Sequence, residues 1–381
     1  MKLSRKVRLK PNKEQEALFI KFCNTARFTY NECLAYREKR YKEENKSTTV
    51  QNCIKHIQEM KETEEYSWIK ETPEAITKQA IKDLDKAYDK FFKGISGYPN
   101  FKKKGKCKLS FYQRTDNFKQ LDETHVKITG IKQPIKCSRC NIPEKIYNPR
   151  VSFEDKYWYL TYAYEKEVDK EPNTDEVIGI DLGIKDLAIC SNGKVYENIN
   201  KDSVIKKIEK RKKKLQRQLS RKYEQNKKGE KYVKTENIKK LEKKIRLIDR
   251  RLRNIRETNL HKVTKELVRI KPKQIVIEDL NVKGMMRNKH LSKAVQQQEF
   301  GKFRQYISYK CELNGIELIV ADRWYPSSKM CSHCGNVKKQ LSLAERVYEC
   351  EVCGLEIDRD YNASINLSSY NKDWKKIVYT H

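Results

Sequence analysis

A chain of 381 residues with 84 Lys and Arg against 52 Asp and Glu carries a formal net charge of +32, and it is 37% hydrophobic and 36% charged. That length allows two or three domains and a sizeable core, while the charge calls for a polyanionic partner. No apolar run reaches the roughly 18 residues of a membrane span and no secretory signal is legible, which argues against a membrane or secreted protein and for nucleic acid in the cytoplasm, nucleoid-associated.

Leu3, Val7 and Leu9 alternate with basic residues in a strand that ends at Pro11-Asn12. From Lys13 the repeat of Leu18, Phe22, Ala26 and Tyr30 predicts a helix. Two further helices are expected over about 50–62 and 74–93, the second after Thr72-Pro73, with proline at a first helical position. The exposed side of the latter carries Lys78, Gln79, Lys82 and Lys86. It reads as a solvated face or as a nucleic-acid contact. Gly97-Tyr98-Pro99-Asn100-Phe101-Lys102-Lys103-Lys104 interleaves aromatics with lysines, so rings can stack on bases while charges such as Lys103 hold phosphates. The period then changes to two (Leu109-Phe111, Val126-Ile128, Val151-Phe153, Tyr157 to Tyr164), predicting a small antiparallel sheet or barrel into which the helices are inserted. Cys137 and Cys140 form an isolated CxxC, read as a turn. The charged, proline-containing stretch from Lys166 to Asp175 is the natural linker, with a boundary near residue 170.

Val177-Ile178-Gly179-Ile180-Asp181-Leu182-Gly183 is an apolar run that ends in a carboxylate, the pattern of a buried strand delivering an acid to a sheet edge. A hairpin follows, Leu187 to Cys190 and Lys194 to Tyr196 around Asn192-Gly193. Alone, Asp181 need only close a strand. Residues 201–260 hold 24 Lys or Arg against 8 Asp or Glu, half of the chain's net charge. Apolar residues at 241, 245, 248, 252 and 255 make one narrow seam, and Lys227-Lys228-Gly229 is the expected bend between two antiparallel helices. So basic a hairpin suits a phosphate backbone.

Gln274 to Leu280 repeats the strand-then-acid pattern; because side chains alternate, Glu278 and Asp279 face opposite ways and only one can join Asp181. A helix over about 292–313 leads to a third core strand, Ile316 to Val320. Cys331-Ser-His-Cys334 and Cys350-Glu-Val-Cys353 lie 15 residues apart, each followed by glycine, the spacing of two knuckles that supply four thiolates to one structural Zn²⁺. His333 is then a bystander. The next segment, Ile357 to Leu367, reads as a helix with Asp358 near its N-cap. Its acids could be only a cap. Three acids on separate elements are nevertheless what a two-metal phosphodiester site needs, with carboxylates holding two Mg²⁺ ions.

Taken together, Ile180-Asp181-Leu182-Gly183, Ile277-Glu278-Asp279-Leu280, the paired knuckles and Asp358-Arg359-Asp360-Tyr361-Asn362-Ala363 resemble TnpB. TnpB proteins are transposon-encoded, RNA-guided DNA endonucleases ancestral to the type V CRISPR effectors. The resemblance spans essentially the whole chain. It implies an α/β multidomain fold: a RuvC-type, RNase H-like nuclease domain over 171–325 and 355–369, with a basic helical hairpin insert at 201–270 and a zinc-ribbon insert at 326–354. A β-barrel wedge domain (1–12 and 95–170) with a helical recognition insert (13–94) would precede it, and 370–381 would be a tail. It implies catalytic, Mg²⁺-binding roles for Asp181, Glu278 and Asp360, a supporting role for Asp358, and Zn²⁺ on Cys331, Cys334, Cys350 and Cys353. Gln79 and Thr115 are its candidates for reading the short motif beside the target. The expected partners are a guide RNA and double-stranded DNA in a monomeric ribonucleoprotein, acting in transposition and DNA recombination.

Two other functional classes remain open on the sequence: a nuclease-inactive RNA-guided DNA-binding regulator, and a miniature type V CRISPR effector. A DDE transposase needs the order Asp, Asp, Glu, and an HUH transposase needs two histidines flanking an apolar residue; neither pattern is present.

Overall fold

The computed structural model describes residues 1–116, 118–168, 174–342 and 345–374. The chain divides into two compact units, Met1–Lys166 and Glu167–His381. The boundary expected near residue 170 lies outside the described residues, and the expected tail is described only to Trp374.

In the first unit, β1 (Lys2–Lys10) leads into a helical insert of α1 (Lys13–Glu44), α2 (Val50–Glu62) and α3 (Glu74–Phe92). Asn12 starts α1 through a capping box: its side chain accepts from the Gln15 amide at 2.8 Å, and the Gln15 side chain accepts from the Asn12 amide at 3.1 Å. Pro73 stands at the N-cap of α3, one residue before the position that the sequence suggests. The chain continues through β2 (Ser110–Tyr112), β3 (Lys119–Asp122), β4 (His125–Lys127), β5 (Ile135–Cys137), β6 (Tyr147–Glu154) and β7 (Tyr157–Glu165). These strands form one sheet in the order β2-β6-β7-β1-β5-β4-β3. The expected barrel is therefore a half-barrel. Its two end strands, β2 and β3, are not paired with each other among the described residues, and α1 covers the apolar face. There Phe19 packs edge-on against Trp158 and tilted against Phe111, and Phe22 packs edge-on against Phe111. Arg150 grips Asp83 with two bonds of 2.8 and 2.7 Å, tying β6 to α3.

The second unit is built on β8 (Val177–Asp181), β9 (Asp186–Cys190) and β10 (Val195–Glu197), then α4 (Ser203–Gln225), the short ribbon β11 (Lys227–Lys228) and β12 (Lys231–Tyr232), and α5 (Glu236–Arg269). Next come β13 (Gln274–Glu278), α6 (Val282–Arg287), α7 (Ser292–Gln298), α8 (Phe300–Leu313), β14 (Glu317–Ala321), β15 (Val347–Glu349), β16 (Glu356–Asp358) and α9 (Arg359–Ser368). The central sheet runs β10-β9-β8-β13-β14, with β8, β13 and β14 parallel and the hairpin β9-β10 antiparallel at one side. Alternation sorts its faces. Ile178, Ile180, Ile275 and Ile277 point to a core shared with α5 and α8 (Leu260, Leu267, Phe303, Ile307). Val177 and Val276 belong to a smaller core with Leu367 of α9, so α9 covers the other face.

Two expectations change in detail. The bend after α4 is a two-stranded ribbon, and the helix expected over 292–313 is broken at Glu299, whose left-handed φ of 53° ends α7 and starts α8. In the basic hairpin the seam closes as expected, with Ile245 and Leu252 buried and Ile205 and Ile208 of α4 packed on Leu252, Ile248 and Ile255. No helix among the described residues is long and apolar enough to cross a membrane.

Candidate active site and metal centre

Parallel pairing of β8 with β13 sets the site. The register that joins Ile180 to Ile277 brings Asp181 and Glu278 level at the C-terminal ends of adjacent strands, where ligand sites of parallel sheets form. Glu278 shares the face of Val276, the side that α9 covers, whereas Asp279 turns to the side of α8. There Arg304 of α8 meets Asp279 at 3.1 Å, and Arg323 binds it as well. The choice between Glu278 and Asp279 is thus resolved by the pleat: Glu278 joins Asp181 and Asp279 is held in ion pairs.

The third acid arrives from the other direction. Strand β16 ends at Asp358, whose carboxylate caps α9 by accepting from the amides of Asp360 and Tyr361, both at 3.0 Å. Asp360 then lies in the first turn. The helix can come this close because residue 179 is glycine: a Cβ there would sit 2.0 Å from the Ser364 carbonyl oxygen and 2.3 Å from the Ser368 nitrogen. The backbone of α9 lies directly on β8 at that point.

Charge binds these acids into one cluster. Burial first, and then the charges of Glu278 and Asp360, push the Asp181 carboxyl well above the usual carboxylate range, against the pull of Arg359. Burial raises Glu278 too, with Asp360 adding to it, while a hydrogen bond from Ser327 opposes the rise. Arg346 lies 3.8 Å from Asp360. The three carboxylates are in electrostatic contact but do not close on one point. Among the described residues, the group of acids, histidines or cysteines whose ligand atoms all lie within 4.8 Å of one another is Cys331, Cys334, Cys350 and Cys353. A wider spread is what two hard cations about 4 Å apart require of their carboxylates.

Those four cysteines form the metal centre. Cys331 and Cys353 sulfurs are 3.6 Å apart and those of Cys334 and Cys350 are 3.5 Å apart. Zinc–thiolate bonds of about 2.3 Å give a tetrahedral edge of about 3.8 Å, so the set suits one Zn²⁺. Each knuckle has the same shape. Gly335 (φ 76°) donates to the Cys331 carbonyl at 3.0 Å, and Gly354 (φ 72°) donates to the Cys350 carbonyl at 3.0 Å. The amide of Cys353 is the main influence holding the Cys350 thiol down at about 6, while burial and the other thiols push Cys353 up to about 12, so the thiolate is favoured at Cys350 and not at Cys353. Cys137 and Cys140 have buried sulfurs 3.9 Å apart and belong to no such group among the described residues.

Several residues that matter here have no clear sequence signal. Ser327 donates to Glu278 Oε1 at 2.6 Å. Asn362 and Asn366 are buried and bond the loop that enters the first knuckle. Asparagine is a poor residue for a helix interior, so two of them one turn apart were the available hint.

The proposed nucleic-acid contacts are scattered through the first unit. Lys78 pairs with Glu74 at 3.1 Å, Gln79 donates to Asp83 at 3.0 Å, and Thr115 and Lys103 are exposed. Gln79 lines a cavity of about 250 Å³ with Lys102 and Arg150. In the lysine run it is Lys102 that is built in: Asn31 brackets its backbone at 2.7 and 3.0 Å, and its ammonium lies 3.6 Å over the Tyr30 ring.

A helix-turn-helix domain model of OrfB proteins of IS605 elements matches residues 1–46, where the chain forms one strand and one long helix. The OrfB model of IS605 elements, described as a probable transposase, matches 159–289, and a Cas12f1-like TNB domain matches 300–367. A Streptomyces pristinaespiralis protein provisionally named an RNA-guided DNA endonuclease is 31% identical over 366 residues, spanning 95% of this chain and 87% of its own. The Escherichia coli K12 protein InsQ, with the same provisional name, is 28% identical over 381 residues, spanning 95% and 90%. Among solved structures, Cas12f1 in a complex with guide RNA and target DNA superposes with a TM-score of 0.63 at 16% identity, covering 95% of this chain and 84% of that one. At that identity the likeness speaks for the fold alone.

Proposed function

Because the chain belongs to the TnpB family, the OrfB proteins of IS605 elements, we propose that it is a guide-RNA-directed endonuclease that cuts double-stranded DNA beside a short adjacent motif. The observation that carries this reading is the meeting of Asp181, Glu278 and Asp360, from two parallel strands and a helix end, in one electrostatic cluster. On this reading the five-stranded sheet with α9 is an RNase H-like, RuvC-type nuclease domain, and the basic hairpin and zinc ribbon are inserts in it. The half-barrel and helices α1 to α3 form the wedge and recognition parts, where Gln79, Thr115, Lys78 and Lys103 are the candidates for contact with nucleic acid.

The donor set fits Mg²⁺: three carboxylates offer hard oxygens, and both the burial that chiefly pushes Asp181 and Glu278 upward and the mutual repulsion that adds to it are what divalent cations would offset. Bound there, two such ions would activate a water and stabilise the departing 3′ oxygen. The protein's own part is to hold. Strands β8 and β13 fix two carboxylates side by side, the Asp358 cap fixes the first turn of α9, and that turn sets Asp360 beside them. Asp358 is thereby a positioning residue. The four-cysteine site takes structural Zn²⁺, since its four thiolates leave no open coordination position.

The direct test is to sequence RNA that copurifies with the protein, then supply target DNA matching it. Wild-type protein should cut that DNA, and Asp181→Ala should lose cleavage by at least a thousandfold while guide and target binding stay within about twofold. Equal loss of binding and cleavage would overturn the metal-ligand role. Cleavage without any associated RNA would overturn the guided reading.

A further inference from the structure

Between β14 and the first zinc knuckle the chain makes a short passage whose hydrogen bonds converge on the site described above. Asn366 on α9 donates its side-chain amide to the carbonyls of Ser327 at 2.7 Å and Met330 at 2.6 Å. One turn earlier, Asn362 donates to the same Met330 carbonyl at 2.7 Å and accepts from the Ser332 amide at 3.0 Å. Tyr325 donates to the Asn366 carbonyl at 2.9 Å, closing the network from below. Both asparagines are buried, at 0% and 3% exposure, so these bonds are made away from competing water. Ser327 is 5% exposed, and its hydroxyl reaches out of the passage to Glu278 Oε1 at 2.6 Å.

We propose that Ser327 is the positioning residue for Glu278, and that Asn366 and Asn362 hold Ser327 in place from the same helix that carries Asp360. The proposal rests on Glu278 being a metal-binding carboxylate, as argued above. A glutamate has three rotatable bonds, and a lone carboxylate beside two others would swing away from them. The Ser327 hydroxyl fixes one oxygen and so limits how far the other can swing. Because Asn366 holds the Ser327 carbonyl, Glu278 and Asp360 are referenced to one rigid element although 81 positions separate them in the chain. This is the outer-shell arrangement that orients metal-binding carboxylates and raises their affinity. The passage also opens into Cys331, and Asn366 links the two ends, bonding the carbonyl of Ser327 and that of Met330 beside the knuckle.

The test uses the full-length zinc-loaded protein and Mn²⁺ as the probe, with free Mn²⁺ read by electron paramagnetic resonance. Ser327→Ala should weaken Mn²⁺ binding by about tenfold or more, and Ser327→Thr, which keeps the hydroxyl, should recover most of it. Zinc should remain at one per chain in both variants. Cleavage by Ser327→Ala should be slow at low Mg²⁺ and return as Mg²⁺ is raised, with guide binding unchanged. A Ser327→Ala titration that superposes on wild type, while Asp181→Ala abolishes Mn²⁺ binding, would overturn this proposal alone. So would loss of zinc from Ser327→Ala, since the serine would then be merely structural. If Asp181→Ala also leaves Mn²⁺ binding unchanged, the carboxylate site itself fails and takes the proposal with it.

Discussion

Asp181 lies in the field of Glu278, Asp360 and Asp358, with Arg359 opposing them. Its carboxyl is raised in the folded protein, so the folded state keeps a proton that the unfolded chain has lost. Below about pH 4 both states are protonated and the group costs nothing; as pH rises through its folded range, stability falls. Asp181→Asn removes that penalty. With Mg²⁺ omitted and zinc retained, the variant should melt several degrees above wild type at pH 7.5, and the gap should close near pH 4. Equal melting temperatures at pH 7.5 would show that the cluster is not strained by charge. Glu278 carries the same sign of shift, relieved in part by Ser327.

At the scale of elements, the hairpin β15-β16 joins structure to chemistry: its tip carries the second knuckle and its last residue caps α9. Cys350→Ser should therefore lower zinc below one per chain. It should also speed hydrogen exchange of the amides at 359–363 by more than tenfold, since the capped turn loses its support. One zinc still bound per chain would refute that ligand assignment. Much of this was legible beforehand, because CxxC spacing, a glycine after each knuckle and an apolar run ending in an acid are local patterns with one cheap geometric solution each. Alternation likewise foretold that Glu278 and Asp279 must part. What stayed illegible depends on partners distant in sequence. Ser327 is an ordinary loop serine until Glu278 is placed beside it, and Asn362 and Asn366 look like weak helix residues until carbonyls of the 327–330 passage face them. The break at Glu299 also escaped, because a single left-handed residue in a helical pattern leaves the apolar period intact.

Over the whole molecule the charge is unevenly spread, with half of the surplus in the hairpin α4-α5. Lys206, Lys210, Lys213 and Arg217 recur on one exposed side of α4. Reversing these four to Glu should weaken guide-RNA binding and reduce its salt slope by roughly 0.7 to 0.9 for each phosphate that is no longer neutralised. An unchanged slope would make that side a solvated one. The first unit was legible as two periods, helical then alternating, but the choice between a sheet and a closed barrel was not, since closure is decided by how end strands meet. Helix α9, the lid on β8, emerges from the ribosome long after the strand that it must cover. Gly179 is left bare while about 180 further residues are made. If the carboxylate cluster is the nuclease site proposed above, it is completed only when α9 is made, after the half-barrel, the first three helices and the basic hairpin.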